Sequence, residues 1–457
     1  MNRLINRIFL VFCVVAIAAC KKDEPALPDN LLAFGAATQG FDGEETTIKL
    51  SLSRNADAAV PVTISLTPAI LTYGKEFTTE PAAVSNTLTV TVPAGQSSVS
   101  FKVKKAANVF LNGDESIQFK IQTVGTPVLK GLNTDLKLSF AAITSTGSKL
   151  TLEGKTAESN YTNTVFADLS ANAQTPVNRK SWNLGFYNGS AFRVILNPGY
   201  QSSAVPTTKT DIAAVTLADA ETVANLDFSP GGDGTLALVD YWDGDLTKTV
   251  FAEVSATESE NKVYLVSFEG SKTKDKWFKV KVSRSTAGGY KVQYARIGET
   301  AIKTIEIAKN ADMNFSFLSL ENAATVAVEP RKTSWDIAWG YSTSNAGTTP
   351  PTPYWFQDFV LLNSVGGAEA AEVLESSVTY DAFAKANVAA QTFSKSRDAI
   401  GSKWRVTSGA TLGIRRDRFY VVKDPQGNIY KLRFVSMGIG SDGGERGKPV
   451  IEYALVK

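Results

Sequence analysis

Two aromatic clusters hold the side chains of this sequence that are best suited to ligand binding. Three prolines stand beside Tyr354, Trp355 and Phe356, a composition that does not fit an ordinary strand. Tyr241 and Trp242 form a second cluster, which is flanked by acidic residues. Aromatic rings present flat apolar faces that stack on other planar groups. Either cluster could therefore form a platform for a planar ligand or a sugar face, and an ordinary packed loop is the alternative.

Catalytic chemistry has few candidate residues in this chain. The sequence contains no histidine, so no Ser-His or Cys-His nucleophile system and no histidine-bearing zinc motif can form. A pair of carboxylates can cleave glycosides, but no acidic pair is distinguished by its spacing. We therefore predict that the protein is not an enzyme and holds no catalytic metal ion.

The thiol of Cys20 is a candidate for covalent modification. Arg3 and Arg7 precede the uncharged apolar run 8–19, which is shorter than the ~20 residues that span a bilayer and is typical of a secretory signal peptide. The run ends Ile-Ala-Ala before the cysteine, which resembles the lipobox of bacterial lipoproteins. That resemblance implies that residues 1–19 are removed and that Cys20 is lipidated. An ordinary signal peptide with an incidental cysteine is the alternative.

Residues 20–30 are polar, contain proline and are typical of a flexible tether. The Lys-Lys-Asp-Glu sequence after the cysteine resembles the surface-export signal of Bacteroidetes lipoproteins, with a solvated linker as the alternative. This resemblance implies an outer-membrane lipoprotein that is exposed at the cell surface and anchored by its lipid. The whole chain has a net charge of +2, and the signal peptide contains two arginines and no acid, so the mature chain is close to neutral. We therefore expect no nucleic-acid partner.

Residues 31–145 alternate apolar and polar side chains in short runs that are separated by turn residues. This pattern predicts an antiparallel β-sandwich. Segments 73–77, 92–95 and 112–115 resemble those of the Calx-beta domain, and some members of that family bind calcium. Calcium needs about six to eight oxygen ligands, and no loop with paired aspartates is present. We therefore predict a spacer domain without a calcium site. If calcium did bind, the candidate ligands would be Asp42, Glu45, Glu76, Asp114 and Glu115.

An internal repeat organises the remainder of the chain. Residues 179–186 match residues 331–339, with one extra residue in the second copy. Each match is followed by an insert, two strand-like segments and a closing strand that contains tyrosine. The pattern predicts two tandem antiparallel β units with little helix, residues 146–308 and 309–457.

The repeat also predicts which side chains correspond. Trp182 should superpose on Trp335, and Lys279 on Lys431, with the tryptophans in the core of alternating apolar strands. The two units could share one continuous core. The only helix predicted lies near residues 377–400.

Several segments carry a family resemblance: residues 334–339, 379–383 and 419–434 in the second unit and, more loosely, residues 181–186 and 277–279 in the first. In order and spacing they resemble the HmuY family, which are secreted haem-binding β-proteins of Bacteroidetes. The resemblance implies capture of haem or a related tetrapyrrole and its delivery to a TonB-dependent outer-membrane receptor.

The iron ligands that this resemblance implies are not obvious in the sequence. The family's best-known member uses two histidines and some relatives use methionines, whereas this chain has no histidine. The two methionines outside the signal peptide are Met313 and Met437. Met437 is the better thioether candidate because it comes just before a glycine-rich loop, and gap filling in the core is the alternative for both. Tyrosine can also ligate haem iron, but nothing in the sequence ranks the 14 tyrosines. Without an iron ligand, the aromatic clusters would hold the porphyrin face alone.

The sequence therefore predicts a mainly β, cell-surface lipoprotein that binds haem or another tetrapyrrole, with non-histidine iron ligation or none. Haem is the one cofactor suggested, and only through the family resemblance. Two alternatives stay open, a surface adhesin or glycan-binding module and a scaffold without a small ligand.

Overall fold

The computed structural model describes residues 28–41, 43–106, 109, 111, 113–140, 145–223, 226, 236–347, 349–409 and 411–456. The chain forms two compact units, Met1–Ala142 and Ile143–Lys457. The predicted signal peptide, Cys20 and the calcium candidate Asp42 lie outside the described residues. Within the described residues, no helix has the length and apolar character required to cross a membrane.

Ten strands are described in the first unit: β1 (Leu31–Phe34), β2 (Thr38–Phe41), β3 (Glu45–Leu52), β4 (Val60–Ala69), β5 (Phe77–Glu80), β6 (Thr87–Val92), β7 (Ser98–Lys105), β8 (Ser116–Val124), β9 (Leu129–Lys130) and β10 (Asp135–Phe140). They form two five-stranded sheets, in the orders β5-β7-β3-β1-β9 and β2-β10-β8-β4-β6. Side chains alternate along each strand, so Ile48, Leu50 and Leu52 of β3 are buried. The buried residues of both sheets form one hydrophobic core, which confirms the predicted β-sandwich.

Lysines pair with two of the acidic residues considered as calcium ligands. The Glu45 carboxylate lies 2.7 Å from the amino group of Lys102 and 3.6 Å from that of Lys104. The Glu76 carboxylate lies 2.9 Å from the amino group of Lys75. In the part of the chain that the structure describes, no group of three or more acidic, cysteine or histidine residues is arranged to hold a metal ion. Positive charge beside these two carboxylates is therefore already supplied by lysine.

Twenty strands are described in the second unit: β11 (Gly147–Thr151), β12 (Asn163–Asp168), β13 (Ala173–Asn178), β14 (Leu184–Tyr187), β15 (Val194–Leu196), β16 (Ser203–Pro206), β17 (Val263–Ser267), β18 (Phe278–Arg284), β19 (Tyr290–Arg296), β20 (Lys303–Ile307), β21 (Phe315–Ser319), β22 (Ala324–Val326), β23 (Ile337–Asn345), β24 (Pro353–Leu362), β25 (Glu369–Leu374), β26 (Arg405–Val406), β27 (Gly413–Ile414), β28 (Arg418–Lys423), β29 (Ile429–Ser436) and β30 (Val450–Leu455). The described helices are short: α1 (Leu217–Glu221), α2 (Lys385–Val388) and single 3-10 turns at Pro198–Tyr200, Leu236–Leu238, Leu246–Lys248, Glu258–Glu260 and Lys274–Lys276. The predicted fold class, mainly β with little helix, is confirmed.

The two halves of the repeat complete each other's sheets. One four-stranded sheet has the order β13-β12-β23-β24 and the other β15-β14-β21-β22, so each combines two strands from the first half with two from the second. The five-stranded sheets also correspond, with the orders β16-β17-β18-β19-β20 and β25-β28-β29-β30-β11. The N-terminal strand β11 thus takes the place in the second half that β20 takes in the first. The boundary predicted at residue 308 consequently falls inside one compact unit.

Trp182 and Trp335 occupy equivalent positions in this arrangement. Each lies two residues before a central strand, β14 or β23. The side-chain amide of Asn197 donates to the carbonyl oxygen of Trp182 at 2.8 Å, and Asn363 donates to that of Trp335 at 2.8 Å. Both indole rings are buried and pack edge-on against a phenylalanine ring. The same local interactions therefore fix both copies of the motif.

Lys279 and Lys431 also occupy equivalent strands and make equivalent bonds. Lys279 lies on β18, and its amino group donates to the backbone carbonyl of Val215 at 2.9 Å. Lys431 lies on β29, and its amino group donates to the carbonyl of Tyr380 at 2.7 Å. Each lysine therefore ties the insert of its own half to the five-stranded sheet.

The helix predicted near residues 377–400 is wrong in its extent. The structure has only the four-residue α2 in this segment. The Lys431 amino group donates hydrogen bonds to the carbonyl oxygens of Tyr380, Asp381 and Phe383 at 2.7, 3.2 and 3.1 Å. An α-helix would need those carbonyls for bonds to residues four positions further along. Tertiary bonding to the lysine therefore overrides the local helical pattern.

Several carboxyl groups of the second unit are buried. The Glu329 side chain is 7% exposed and accepts the backbone N–H of Phe315 at 2.8 Å, and burial raises its pKa to about 8. Burial and repulsion from Asp168 raise the pKa of Asp336 well above its usual range. Burial also raises the pKa of Asp168 and of Asp424. These groups take up protons more readily in the folded chain than in the unfolded chain.

We predict that the second unit loses stability as the pH rises from about 5 to about 8. A carboxyl group whose pKa is raised by folding contributes stability below its unfolded pKa, and this contribution is lost as the pH rises through the folded pKa. In the Glu329→Gln variant, the loss of unfolding free energy over this pH range should be smaller by on the order of a few kcal/mol. Denaturant unfolding across this pH range measures the difference. The exposed Glu306→Gln variant is the control and should follow the wild type. Wild-type stability that stays level or rises over this range would contradict the account.

Candidate functional site

A cleft of about 770 Å³ opens on the second unit beside strand β24. Its walls come from residues 354–357 of β24, from residues 402–408 around β26, and from two arginines near the start of β28. Pockets that hold small ligands typically measure about 300–1,000 Å³. The cleft therefore has the size of a site for one cofactor-sized ligand.

The aromatic wall of the cleft exists because one hairpin of the repeat is longer than its counterpart. Strands β23 and β24 have 9 and 10 residues, whereas the equivalent β14 and β15 have 4 and 3. The added length brings residues 353–356 of β24 opposite residues 342–345 of β23. In the described part of the chain, this extension occurs in the second half alone.

Tyr354 and Phe356 form the aromatic wall. Alternate residues of a strand point to the same side, and these two ring centres lie 4.7 Å apart. Both side chains are partly exposed. Phe356 is supported by the buried ring of Phe359, at 5.6 Å between ring centres. Two partly exposed rings with a buried ring behind them can receive the face or edge of a flat ligand.

Trp355 points to the other side of β24 and connects the two halves of the repeat. Its indole ring stacks on Tyr341 with ring centres 3.9 Å apart, and the Arg179 guanidinium lies 5.1 Å from the indole. Its N–H donates to the backbone carbonyl of Pro198 at 3.1 Å. Arg179 and Pro198 belong to the first half. The aromatic triplet identified in the sequence is therefore divided, with two rings on the cleft side and a third that holds the hairpin in place.

The β26–β27 hairpin supplies the opposite, charged wall. Trp404, 1% exposed, anchors it by stacking on Phe434 with ring centres 3.9 Å apart. The Trp404 indole N–H donates to the backbone carbonyl of Asp358 at 3.1 Å. Arg405 follows directly, and its guanidinium donates to the backbone carbonyl of Gln357. These bonds attach the charged hairpin to the strand that carries the aromatic rings.

Three of the four cationic side chains that line the cleft form no ion pair with a described carboxylate. In the described residues, no carboxylate lies within 4.0 Å of the charged groups of Lys403, Arg405 or Arg415. Arg418, by contrast, pairs with two carboxylates at 2.9 and 3.0 Å. Burial lowers the pKa of Arg405, but an arginine in a protein stays charged at neutral pH. The cleft therefore places positive charge next to the aromatic wall.

The other residues that the sequence singled out lie elsewhere. Met437 is fully buried in the hydrophobic core and does not line the cleft. Tyr241 and Trp242 stack on each other with ring centres 4.5 Å apart, and the residues that follow them line a separate depression of about 480 Å³. Cys20 lies outside the described residues. Residues 354–356 thus line the cleft, with the Trp355 ring turned to the other side of β24, and none of the other predicted ligand-binding residues does.

Sequence reasoning missed the cationic wall. The signal was present in the alternating Lys403 and Arg405 and in the arginine-rich run 415–418. A cluster of basic residues can indicate an anion site, but nothing in the sequence placed this cluster beside the aromatic run. Tertiary structure brings the two together through the bonds of Trp404.

A smaller cavity of about 90 Å³ lies where the two halves of the repeat meet. Trp182, Trp335, Phe166 and Phe317 are among the side chains that line it. This volume is well below the ~300–1,000 Å³ that pockets for small ligands typically have, so the cavity is too small for a tetrapyrrole. The open cleft beside β24 is therefore the candidate site for a larger ligand.

A family comparison covers most of the second unit. The model of the family described as HmuY protein matches residues 160–453, well over half of the chain. The match includes both halves of the repeat and all the walls of the cleft. No curated protein sequence matches the chain.

Solved structures show distant similarity. The apo form of the Calx CBD1 domain is 10% identical, with 25% of this chain and 96% of that chain covered and a TM-score of 0.22. CBD12 from CALX1.2 is 11% identical, with 38% and 61% covered and a TM-score of 0.22, so the alignment spans about three fifths of that structure. A two-domain protein of unknown function from Bacteroides fragilis is 10% identical, with 41% and 73% covered and a TM-score of 0.19.

The different contacts of Trp355 and Tyr354 predict different effects on stability. Trp355→Ala should destabilise the second unit by about 3 kcal/mol, because it removes a stacked ring, a cation–π contact and a hydrogen bond between the halves. Tyr354→Ala should cost about 1 kcal/mol or less, because its ring is partly exposed and packs against the partly exposed ring of Phe356. Denaturant unfolding of both variants measures the difference. Equal losses would contradict the roles assigned to the two rings.

Proposed function

The chain belongs to the HmuY family, and from that membership we propose that it captures haem or a related tetrapyrrole in the cleft beside β24. HmuY proteins are haem-binding proteins of the cell surface and not enzymes. The observation that carries the proposal is the combination of walls in this cleft. One side is aromatic, through Tyr354 and Phe356, and the other is cationic, through Lys403, Arg405 and Arg415.

A tetrapyrrole has chemistry that matches both walls. Its ring is flat and apolar, so it gains free energy by leaving water and stacking on aromatic side chains. Its propionate groups are anions, which form charge-assisted hydrogen bonds with guanidinium and ammonium groups. A cleft of about 770 Å³ is within the range that small ligands occupy.

Binding through an axial iron ligand is not part of this proposal. The chain has no histidine. The thioether of Met437 is buried in the core, and Met313 does not line the cleft. The proposal assigns binding to stacking and charge pairing, and neither depends on iron.

The N-terminal segment fits a protein that works outside the cytoplasm. A signal peptide over residues 1–19 and lipidation of Cys20 would anchor the chain in the outer membrane, and residues 20–30 would act as a flexible tether. The first unit would serve as a spacer. A TonB-dependent outer-membrane receptor is the partner that would accept the tetrapyrrole.

Titration of the lipid-free mature chain with haem and with iron-free protoporphyrin tests the proposal. Both ligands should bind once per chain and with similar affinity, as measured by absorbance and by quenching of tryptophan fluorescence. The double variant Tyr354→Ala and Phe356→Ala should bind at least about tenfold more weakly, since each aromatic contact adds about 1 kcal/mol beyond its buried area.

The Met437→Ala variant is the control for iron ligation and should leave both affinities unchanged if it remains folded. Failure of both ligands to bind would overturn the proposed function. A low-spin ferric haem complex that is much tighter than the protoporphyrin complex would show instead that an iron ligand dominates binding.

A further inference from the structure

We propose that Lys403, Arg405 and Arg415 make this cleft selective for the carboxylates of its ligand. The ligand class would be a planar molecule with at least two carboxylate groups, with or without a metal ion. This inference rests on the proposed function and adds the ligand feature that decides affinity.

The cations around the cleft differ in whether they form ion pairs. Arg418 is neutralised by Glu372 and Asp417, at 3.0 and 2.9 Å. Many other lysines and arginines of the second unit also have acidic partners within 4.0 Å, such as Arg193 with Glu253. The three cations on the cleft wall have no such partner in the described residues. The cleft wall thus brings three cations that form no ion pair to one side of the space a ligand would occupy.

Two of these cations are held in place before any ligand arrives. The Arg405 guanidinium donates to the Gln357 carbonyl, while its Nε is buried and has no hydrogen-bond partner. The Lys403 amino group donates to the Ala399 carbonyl at 2.9 Å, which leaves other donors of the ammonium group available. Prior positioning reduces the ordering cost of binding. The wall therefore offers directed donors and not merely a diffuse positive field.

Arg415, the residue directly after β27, extends the same wall. Its backbone N–H donates to the carbonyl of Trp404 at 2.8 Å, which fixes its main chain beside the anchoring tryptophan. Its side chain is exposed and lines the cleft. Arg405 on β26 and Arg415, directly after β27, therefore lie on the two arms of one hairpin, which suits two separate carboxylates on one ligand.

The acidic residue that acts most on Arg405 is already engaged. Asp358 interacts with the Arg405 guanidinium electrostatically. Its Oδ2 accepts from the hydroxyl of Tyr161 at 2.9 Å and the guanidinium of Arg446 at 2.7 Å, whereas its buried Oδ1 has no hydrogen-bond partner. Asp358 is 1% exposed and lies below the surface of the cleft wall. A carboxylate from a ligand would therefore meet Arg405 without displacing an internal ion pair.

A comparison of protoporphyrin IX with its dimethyl ester tests this inference on the lipid-free mature chain. The two probes share the aromatic ring and differ in their carboxylates. The diacid should bind at least about tenfold more tightly than the diester. Raising the salt concentration should weaken binding of the diacid and leave that of the diester nearly unchanged, because ions screen charge pairs.

Single substitutions then locate the effect. Lys403→Gln and Arg415→Gln alter exposed side chains, so the variants should remain folded, which their melting temperatures check. Each should weaken diacid binding several-fold without changing diester binding. Lys395→Gln removes one positive charge outside the cleft and controls for net charge; it should behave as the wild type.

The outcomes separate this inference from the proposed function. Equal affinity for diacid and diester, with no effect of Lys403→Gln or Arg415→Gln, would overturn the carboxylate selectivity and leave tetrapyrrole binding in place. Absence of binding by both porphyrins would overturn the proposed function and this inference together. Loss of diacid binding in the Lys395→Gln variant would show that net charge, and not this wall, attracts the ligand.

Discussion

The second unit depends on one constraint: strands from both halves of the repeat pair with each other in the same sheets. Each four-stranded sheet joins two strands from one half to two from the other, through the β12–β23 and β14–β21 pairings. Neither half has a complete set of sheets without its partner, because backbone N–H and C=O groups of the central strands are bonded across the halves. Long-range pairing of this kind also means that much of the chain must be made before the unit can fold.

The pairing of strands across the halves explains how a duplicated unit can have a ligand-binding cleft in one half alone. The pairings that hold the halves together involve the bases of the β14–β15 and β23–β24 hairpins, so the rest of a hairpin is free to change in length. In the second half that length is used for an aromatic wall, and Trp355 fastens the extended hairpin to the first half through Arg179 and Pro198. The first half thus supports the cleft although the cleft walls come from the second half.

Much of the fold could be predicted from the sequence, because period-two alternation and repeated motifs depend on local patterns. The sandwich, the β-rich repeat and the equivalence of Trp182 and Trp335 follow from these patterns. The pairing of strands across the halves could not be predicted. Alternation of apolar and polar residues shows which face of a strand is buried, but not which strand lies beside it. The helix near residues 377–400 failed for a related reason: its carbonyls bond to Lys431, far away in the sequence.

The candidate site was predictable in part. Tyr354 and Phe356 stood out by composition, whereas their separation from Trp355 requires the pleat of β24, and their cationic neighbours require the fold. Met437 shows a residue that the sequence suggested and the structure does not place in the site. Its position before a glycine-rich loop suggested that a ligand could reach it, but its side chain is buried in the core. Composition therefore identified one wall, and packing supplied the other.

A structure of the mature chain in complex with protoporphyrin tests the central claim most directly. The account predicts one porphyrin in the cleft, with its ring against Tyr354 and Phe356 and its propionates directed to Lys403, Arg405 and Arg415. A porphyrin bound at Tyr241 and Trp242, or anywhere else outside the cleft, would contradict it.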